Sequence, residues 1–414
     1  MKINVPLLLF LFWGTGVPCF ACTVFYAADD ETVLGGNNED YSDPNTGFFL
    51  YPAEKGKYGW IKFGYMGGWP QGGMNDQGLF WDATACPSLD MPYSEANKIK
   101  YDGPLMQKVM QECSTVQEAL AVFENYYCVD QYKGQYLIGD QTGASAIIEG
   151  DNFIIKENSY QVLTNFYQSH PDMGGYPCWR YETAVSMLQN ESTISTHLFG
   201  AILSATHQEG RYPTQYSNIY DLKHGIVYLF YMHNFEEFVQ INLEESLAKG
   251  EKSFPIKPLF SQIKLLGPSS ESTVDPSRVT FEWQGDKNSQ YDLLYATDPN
   301  FSDCNTVPVK STQFSAGLAA PVALLVICLL ILNGKRRGVW RSYIFFLWLF
   351  ILLFALIDCA DKVSAPDQQN NTHTFRAAMD NLQTNRTYYW KIVAKTQEKS
   401  DYTSESIVRT FHTL

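Results

Sequence analysis

The chain has 414 residues, of which 45% are hydrophobic, and this is enough for more than one packed core. Its formal net charge is −14 at pH 7, with a sequence pI near 5.0. Because phosphate binding needs clustered Lys and Arg, this acidic balance predicts no nucleic-acid partner. From Cys22 onward no Cys-x-x-Cys pair occurs, and no His-Glu-x-x-His segment is present, so we predict no metal site and no cofactor.

The first 21 residues have the pattern of a secretory signal peptide. Lys2 supplies a positive start, residues 5–13 are apolar but too short to span a bilayer, and a small-x-small cleavage signal ends at Ala21. We therefore expect export and cleavage before Cys22. A lipoprotein signal also ends before a cysteine, and in that alternative Cys22 carries lipid.

Residues 22–258 alternate between strand-like and helix-like segments, which predicts an α+β fold for this region. Helical periodicity covers residues 104–127, where Thr115 and Glu118 form a capping-box pattern at the start of the second of two helices. Further helices are predicted at 179–188 and 195–203. Strands are predicted at 23–26, 33–34, 136–138, 146–149, 153–156, 161–163, 219–220, 226–232 and 238–241.

From residue 259 the pattern changes to short aromatic strands separated by turns, at 278–283, 291–297, 372–375 and 388–394. This spacing predicts a small β-sandwich. The stretch from Asn385 to Lys391 (NRTYYWK) resembles a strand of fibronectin type III domains. The predicted sandwich consists of two pieces, 259–313 and 361–414.

Between these two pieces, residues 314–360 are predicted to form a two-helix transmembrane hairpin. Residues 314–332 carry no charge, and residues 343–357 form a second, shorter apolar run. The connecting loop has four positive charges, which places it in the cytoplasm. The rest of the chain is then expected to be membrane-anchored on the extracytoplasmic side, periplasmic or at the cell surface. The alternative is two buried core helices.

Cys22 is the residue on which the functional prediction depends. A cysteine made N-terminal by cleavage carries a nucleophilic thiol and a free α-amine that can accept the thiol proton. No separate histidine is then needed as the base, so His207 is interpreted as a loop or core residue.

The segment that starts at Cys22 contains Gly36, Asn38 and Asp40, which match a "G-R-N-x-D" element, while Asn37 stands where arginine is common. It resembles the start of the choloylglycine hydrolase and penicillin acylase superfamily. The resemblance is nearest to the acyl-CoA:isopenicillin-N acyltransferase-like linear amide C–N hydrolases. Further matches follow in the family's order, at 73–79, 139–149, 162–166, 178–182 and 213–221.

The resemblance implies an αββα N-terminal-nucleophile hydrolase sandwich in residues 22–258. It assigns catalysis to Cys22, Asp40 and Asn165, with Asn165 as a donor to the oxyanion. Asn37, Asn38 and Arg180 are assigned binding or supporting roles. Arg180 could neutralise a substrate carboxylate or pair with acidic groups on a helix surface. Asp40 could instead be a turn carboxylate, and Asn165 an ordinary strand end.

Together these features predict an exported, membrane-anchored hydrolase of non-peptide C–N amide bonds. Its expected substrate is a small N-acyl amide, penicillin-like or bile-salt-like, and its intermediate a thioester. Acyl transfer to an amine is a variant of the same chemistry. The alternative from another class is a catalytically inactive binding or scaffold protein.

Overall fold

The structure, a computed structural model, describes residues 22–309 and 372–414 except 69, 87–94, 129–133, 174, 192 and 396–400. The predicted signal peptide and the predicted membrane hairpin lie outside the described residues. Among the described residues, no helix combines the length and the apolar character needed to cross a membrane.

The described part of the chain contains five α-helices: α1 Leu105–Glu112, α2 Val116–Asn125, α3 Trp179–Asn190, α4 Thr196–Thr206 and α5 Leu243–Leu247. It contains 25 strands: β1 Thr23–Ala28, β2 Val33–Asp40, β3 Thr46–Tyr51, β4 Trp60–Tyr65, β5 Pro70–Asn75, β6 Leu79–Ala85, β7 Ile99–Lys100, β8 Tyr126–Tyr127, β9 Gly134–Asp140, β10 Ser145–Glu149, β11 Asn152–Ile155, β12 Tyr160–Leu163, β13 Thr214–Asp221, β14 Ile226–Tyr231, β15 Asn234–Asn242, β16 Lys252–Pro255, β17 Lys264–Gly267, β18 Ser272–Val274, β19 Arg278–Asp286, β20 Gln290–Ala296, β21 Asn305–Val309, β22 Thr372–Asp380, β23 Thr387–Lys395, β24 Ser404–Ser406 and β25 Arg409–Thr413.

The predicted fold class, α+β with an αββα N-terminal-nucleophile hydrolase sandwich and a C-terminal β-sandwich interrupted by a two-helix membrane hairpin, is wrong in the share of helix that it gives the described part of the chain. The described residues are mostly β-sheet with few helices. Among the described residues the longest helix is α3, with 12 residues and a length of about 18 Å. The sequence pattern left residues 46–85 without strands, yet this aromatic segment folds as β3 to β6.

The individual helix predictions are confirmed within a few residues. Helix α2 begins at the predicted capping box, in which the Thr115 side chain accepts a hydrogen bond from the Glu118 backbone and the Glu118 carboxylate returns to the Thr115 N–H. The cap fixes the end of α1 and the start of α2. Two short helices therefore form within residues 104–127, where the helical periodicity of the sequence is continuous.

Two large sheets pack face to face. One has twelve strands and includes the order β12-β1-β2-β13-β14-β15-β24-β23-β20-β21, and the other has eight in the order β11-β10-β9-β6-β5-β4-β3-β16. Their facing sides form the central core, which includes Phe48, Phe63, Phe80 and Tyr220. Helices α1 and α2 cover the outer side of the eight-stranded sheet. Helices α3 and α4 cover β1 and β2 on the outer side of the other.

Strand β2 runs through the middle of this arrangement and is buried along its whole length. A Cβ at Gly35 would come within 2.9 Å of the Phe80 ring, and one at Gly36 within 2.8 Å of the Phe25 ring. Glycine is therefore required at both positions for the close approach of the layers. The polar end of β2, from Asn37 to Asp40, is consequently held deep in the molecule.

The described residues after 259 continue the twelve-stranded sheet, because β15 pairs with β24. A three-stranded sheet, β17-β19-β22, packs on this region through an aromatic cluster that includes Phe281, Trp283, Trp390 and Phe411. The carboxylate of Glu237 in β15 accepts hydrogen bonds from the backbone of Ser261 and Ile263. These contacts connect the two halves of the described chain.

Candidate active site

Cys22 lies immediately before β1, the second strand from one end of the twelve-stranded sheet, and is 6% exposed. Its thiol is within hydrogen-bonding reach of the Glu39 side chain and of the Asp40 backbone N–H. Burial, and then the nearby carboxyl groups of Glu39 and Asp40, raise the pKa of the Cys22 thiol well above its usual range. The thiol is therefore protonated at neutral pH, and its use as a nucleophile requires a base.

The end of β2 presents different groups to its two faces, because successive side chains in a strand point to opposite sides. Asn38 and Asp40 point toward the layer of α3 and α4. Asn37 and Glu39 point toward the eight-stranded sheet. The Cys22 thiol is in contact with residues from both sets, so this strand end forms the wall of the candidate site.

Asp40 is 1% exposed and is held by three groups. Thr214 Oγ1 donates to Asp40 Oδ1 over 2.5 Å, and Gln208 Nε2 donates to Asp40 Oδ2 over 2.7 Å. Arg180 Nη1 lies 3.8 Å from Asp40 Oδ2. Burial, opposed by these hydrogen bonds and by the Arg180 charge, raises the pKa of Asp40 to about 7. This carboxyl therefore changes charge close to neutral pH.

Arg180, near the start of α3, is 4% exposed and lies at the centre of the site rather than on a helix surface. Its Nη1 donates to the Cys22 carbonyl oxygen over 2.5 Å and to Thr23 Oγ1 over 2.9 Å. Its Nη2 donates to Asn165 Oδ1 over 3.0 Å. One guanidinium thus fixes the backbone of the nucleophile and the predicted oxyanion donor together.

Asn165 follows β12 and is 3% exposed. Arginine has only donors, so the Asn165 atom that faces Arg180 is the oxygen. The Asn165 amide nitrogen then faces the opposite way and donates to the Ala85 carbonyl over 2.7 Å. An amide nitrogen has two N–H groups, and one of them remains for a further acceptor.

The two adjacent asparagines of β2 have different surroundings. Asn38 donates to the Leu203 carbonyl and to Thr206 Oγ1, both over 3.0 Å, and accepts from Ser217. It therefore ties β2 to α4 and β13. The Asn37 side chain is fully buried, and neither its nitrogen nor its oxygen has a hydrogen-bond partner among the described residues. Within the described residues, the guanidinium beside Cys22 is that of Arg180.

A second group of polar residues near Cys22 was missed by the sequence analysis. Tyr65 donates to Glu39 Oε1 over 2.8 Å, and burial, opposed by this bond, raises the pKa of Glu39 to about 8. Burial, and then Glu39, raise the pKa of Asp82 well above its usual range. The Tyr216 hydroxyl, one oxygen of Glu39 and one of Asp82 have no hydrogen-bond partner among the described residues. Glu39 lies in the segment that contains Asn38 and Asp40. Its interactions with Tyr65 of β4 and Asp82 of β6 depend on the packing of the two sheets.

Comparison with known proteins gives structural neighbours of limited similarity. No protein-family model matches the chain, and no curated protein matches it. Two variants of conjugated bile acid hydrolase from Clostridium perfringens are 19% and 18% identical, with TM-scores of 0.45. Each alignment covers 57% of this chain and 97% of theirs. Penicillin V acylase from Agrobacterium tumefaciens is 16% identical with a TM-score of 0.40, covering 50% of this chain and 82% of that chain.

Proposed function

We propose that the chain is an amide hydrolase that cleaves linear, non-peptide C–N bonds of N-acyl amides with Cys22 as its N-terminal nucleophile. The observation that carries this proposal is the environment of Cys22. Its buried thiol touches Glu39 and the backbone of Asp40, while Arg180 holds its carbonyl oxygen. Such convergence of ionisable groups on one buried thiol is costly for a purely structural cysteine.

The high pKa of the thiol makes a nearby base necessary. Removal of residues 1–21 converts the peptide nitrogen of Cys22 into an α-amine, whose reference pKa is about 7.7–8.0. At that pH the amine is partly neutral and can accept the thiol proton. The proposal therefore requires cleavage directly before Cys22, since a peptide nitrogen is not a base.

In the proposed reaction the Cys22 sulfur forms a bond to the amide carbonyl carbon, and the thiol proton moves to the α-amine. The C–N bond then breaks, and the α-amine passes the proton to the leaving nitrogen. Water next attacks the thioester, with the α-amine again as base, and the S–C bond breaks to release the acid and restore the thiol.

The remaining N–H of Asn165 is the proposed donor to the oxyanion. Arg180 holds the Asn165 oxygen and Ala85 accepts the first N–H, so the amide is oriented before substrate binds. Loss of one such preorganised donor costs roughly 3–4 kcal/mol of barrier in other enzymes. Arg180 acts here as a positioning residue.

The test combines N-terminal sequencing of the mature protein with mass spectrometry of the protein after mixing with a panel of N-acyl amides. We expect Cys22 at the N-terminus with a free amine, and an acyl adduct on its sulfur. Cys22→Ala should abolish the adduct, whereas Cys113→Ala, which removes another buried thiol in the turn between α1 and α2, should retain it.

Two outcomes would contradict the proposal. One is a mature protein whose N-terminus lies elsewhere or whose Cys22 amine is blocked, because the base is then absent. The other is a correctly processed protein that forms no adduct with any amide of the panel. Product analysis with and without added amines would distinguish hydrolysis from acyl transfer.

A further inference from the structure

A second cluster of chemically active side chains lies beside the candidate active site. His207 follows the last turn of α4, Glu209 lies in the loop before β13, and His233 lies in the turn between β14 and β15. One nitrogen of each imidazole and one carboxylate oxygen of Glu209 all lie within 4.8 Å of one another. His207 Nε2 and Glu209 Oε1 are 3.6 Å apart.

Hydrogen bonds to backbone carbonyls fix which nitrogen carries the hydrogen in the neutral form of both imidazoles. His207 Nδ1 is 2.5 Å from the Ser204 carbonyl oxygen. A carbonyl only accepts, so Nδ1 carries the hydrogen and Nε2 of the neutral ring presents a lone pair. His233 is bonded to the backbone of Gln208, whose N–H already donates to Thr214, so the Gln208 carbonyl is the acceptor.

The Nε2 atom of His233 is buried and has no hydrogen-bond partner among the described residues. The bond to Gln208 is therefore made by Nδ1, which leaves Nε2 of His233 available as a ligand. Nε2 of His207 also faces the cluster, 3.6 Å from Glu209 Oε1. An imidazole that donates its other N–H to a backbone carbonyl is the usual arrangement of a metal-bound histidine. A buried lone pair without a donor otherwise has an energetic cost.

We propose that His207, Glu209 and His233 bind a divalent zinc ion, with water in the fourth position. Zinc–nitrogen and zinc–oxygen bonds of about 2.0–2.2 Å place tetrahedral ligand atoms about 3.3–3.5 Å apart. The distance between His207 Nε2 and Glu209 Oε1 already has this value within about 0.3 Å. Small side-chain rotations bring the other ligand atoms, which lie within 4.8 Å of one another, to the same separation. Two imidazoles and one carboxylate favour zinc over calcium or magnesium, which prefer oxygen ligands.

The site has a direct connection to Asp40. Gln208 lies between two of the proposed ligands, and its Nε2 donates to Asp40 Oδ2 over 2.7 Å. A bound zinc ion would hold residues 207–209 in place and so keep Gln208 on Asp40. The resulting effect on catalysis rests on the proposed function, whereas zinc binding itself does not.

The test uses cobalt as a spectroscopic substitute for zinc in the purified full chain. We expect one cobalt ion per chain, absorption bands typical of four-coordinate cobalt with nitrogen and oxygen ligands, and displacement by zinc. His233→Ala should abolish the bands. Glu209→Gln should weaken affinity by at least the roughly 10–100-fold seen on loss of an outer-shell partner of a metal ligand. His224→Ala removes an exposed histidine paired with Asp221 and should bind normally.

Glu209 is 75% exposed along its side chain, so Glu209→Gln tests the site even if His233→Ala fails to fold. Binding that is absent, that is unchanged by Glu209→Gln, or that shows a thiolate-to-cobalt charge-transfer band would overturn the proposal. Cobalt binding of the expected kind in a chain that cleaves no amide would support the zinc site and contradict the proposed function, so the two failures are distinguishable.

Discussion

Replacement of Arg180 by methionine tests the buried network around Cys22. The variant loses the donors to the Cys22 carbonyl, Thr23 and Asn165 and leaves Asp40 without its nearby positive charge. Three separate bonds to a charged group would sum to about 5–9 kcal/mol at roughly 1.5–3 kcal/mol each. They share one cation, so we expect about 3–5 kcal/mol, the usual cost of breaking a buried ion pair.

The measurement is the free energy of unfolding from urea denaturation. The matched control is Arg376→Met, which breaks an ion pair with Glu282 of 2.7 Å in which the Arg376 side chain is 69% exposed. We expect the control to cost about 0–1 kcal/mol, because solvent screens exposed pairs. Both variants remove one arginine charge and keep an unbranched side chain. The difference between their losses in unfolding free energy therefore measures the effect of burying the ion pair.

The pH dependence of the loss in unfolding free energy tests whether Asp40 is the partner of Arg180. Burial raises the pKa of Asp40 to about 7 in the native protein, against the opposing effect of the Arg180 charge, so Asp40 is mainly ionised only above that pH. The cost of Arg180→Met should therefore be larger above pH about 8 than below about 6. A cost no greater than that of the control, or one that is independent of pH, would refute the argument that Arg180 compensates a buried Asp40 charge.

Three further variants test other parts of the structure. Native Glu39, with a pKa of about 8, keeps a proton that the unfolded chain releases, so its presence lowers the free energy of unfolding as the pH rises from about 4.5 to 8. Glu39→Gln should therefore make this decrease shallower. Glu244→Gln, at an exposed position, is the control, and equal slopes for the two variants would contradict the prediction. Asn37→Leu removes a buried amide that has no hydrogen-bond partner in the described part of the chain, and it should raise the free energy of unfolding by about 1–3 kcal/mol. A loss of stability in urea denaturation would show instead that the amide is satisfied. Phe281→Ala empties a fully buried ring site against Trp390 and Phe411 and should cost about 3–5 kcal/mol by the same measurement, and a cost below about 1 kcal/mol would contradict its place in that core.

Local sequence patterns predicted the helices well. The capping pattern of Thr115 and Glu118 placed the start of α2 correctly, because the hydrogen bonds that define it lie within four residues. The strand predictions for β1 and β9 to β12 were also confirmed in position. By contrast, the aromatic residues between Phe48 and Tyr65 were left without predicted strands, although Phe48 and Phe63 are fully buried in β3 and β4.

The residues of the candidate site likewise include some that the sequence predicted and some that only the structure brings together. The sequence by itself predicted two short strands, at 23–26 and 33–34, on either side of a turn, and these form an antiparallel pair. The extension of the second strand to Asn38 and Asp40 is seen only in the structure. The roles assigned to these residues by resemblance stay predictions.

Only the tertiary structure decided what surrounds Cys22. Arg180 and Asn165 come from a helix and a strand end more than 140 residues along the chain, and Glu39 meets Tyr65 only because the two large sheets pack face to face. The same holds for His207 and His233, which a spacing of 26 residues gives no reason to pair. Such contacts depend on which layers meet and on how deeply each group is buried, and neither is encoded in local sequence periodicity.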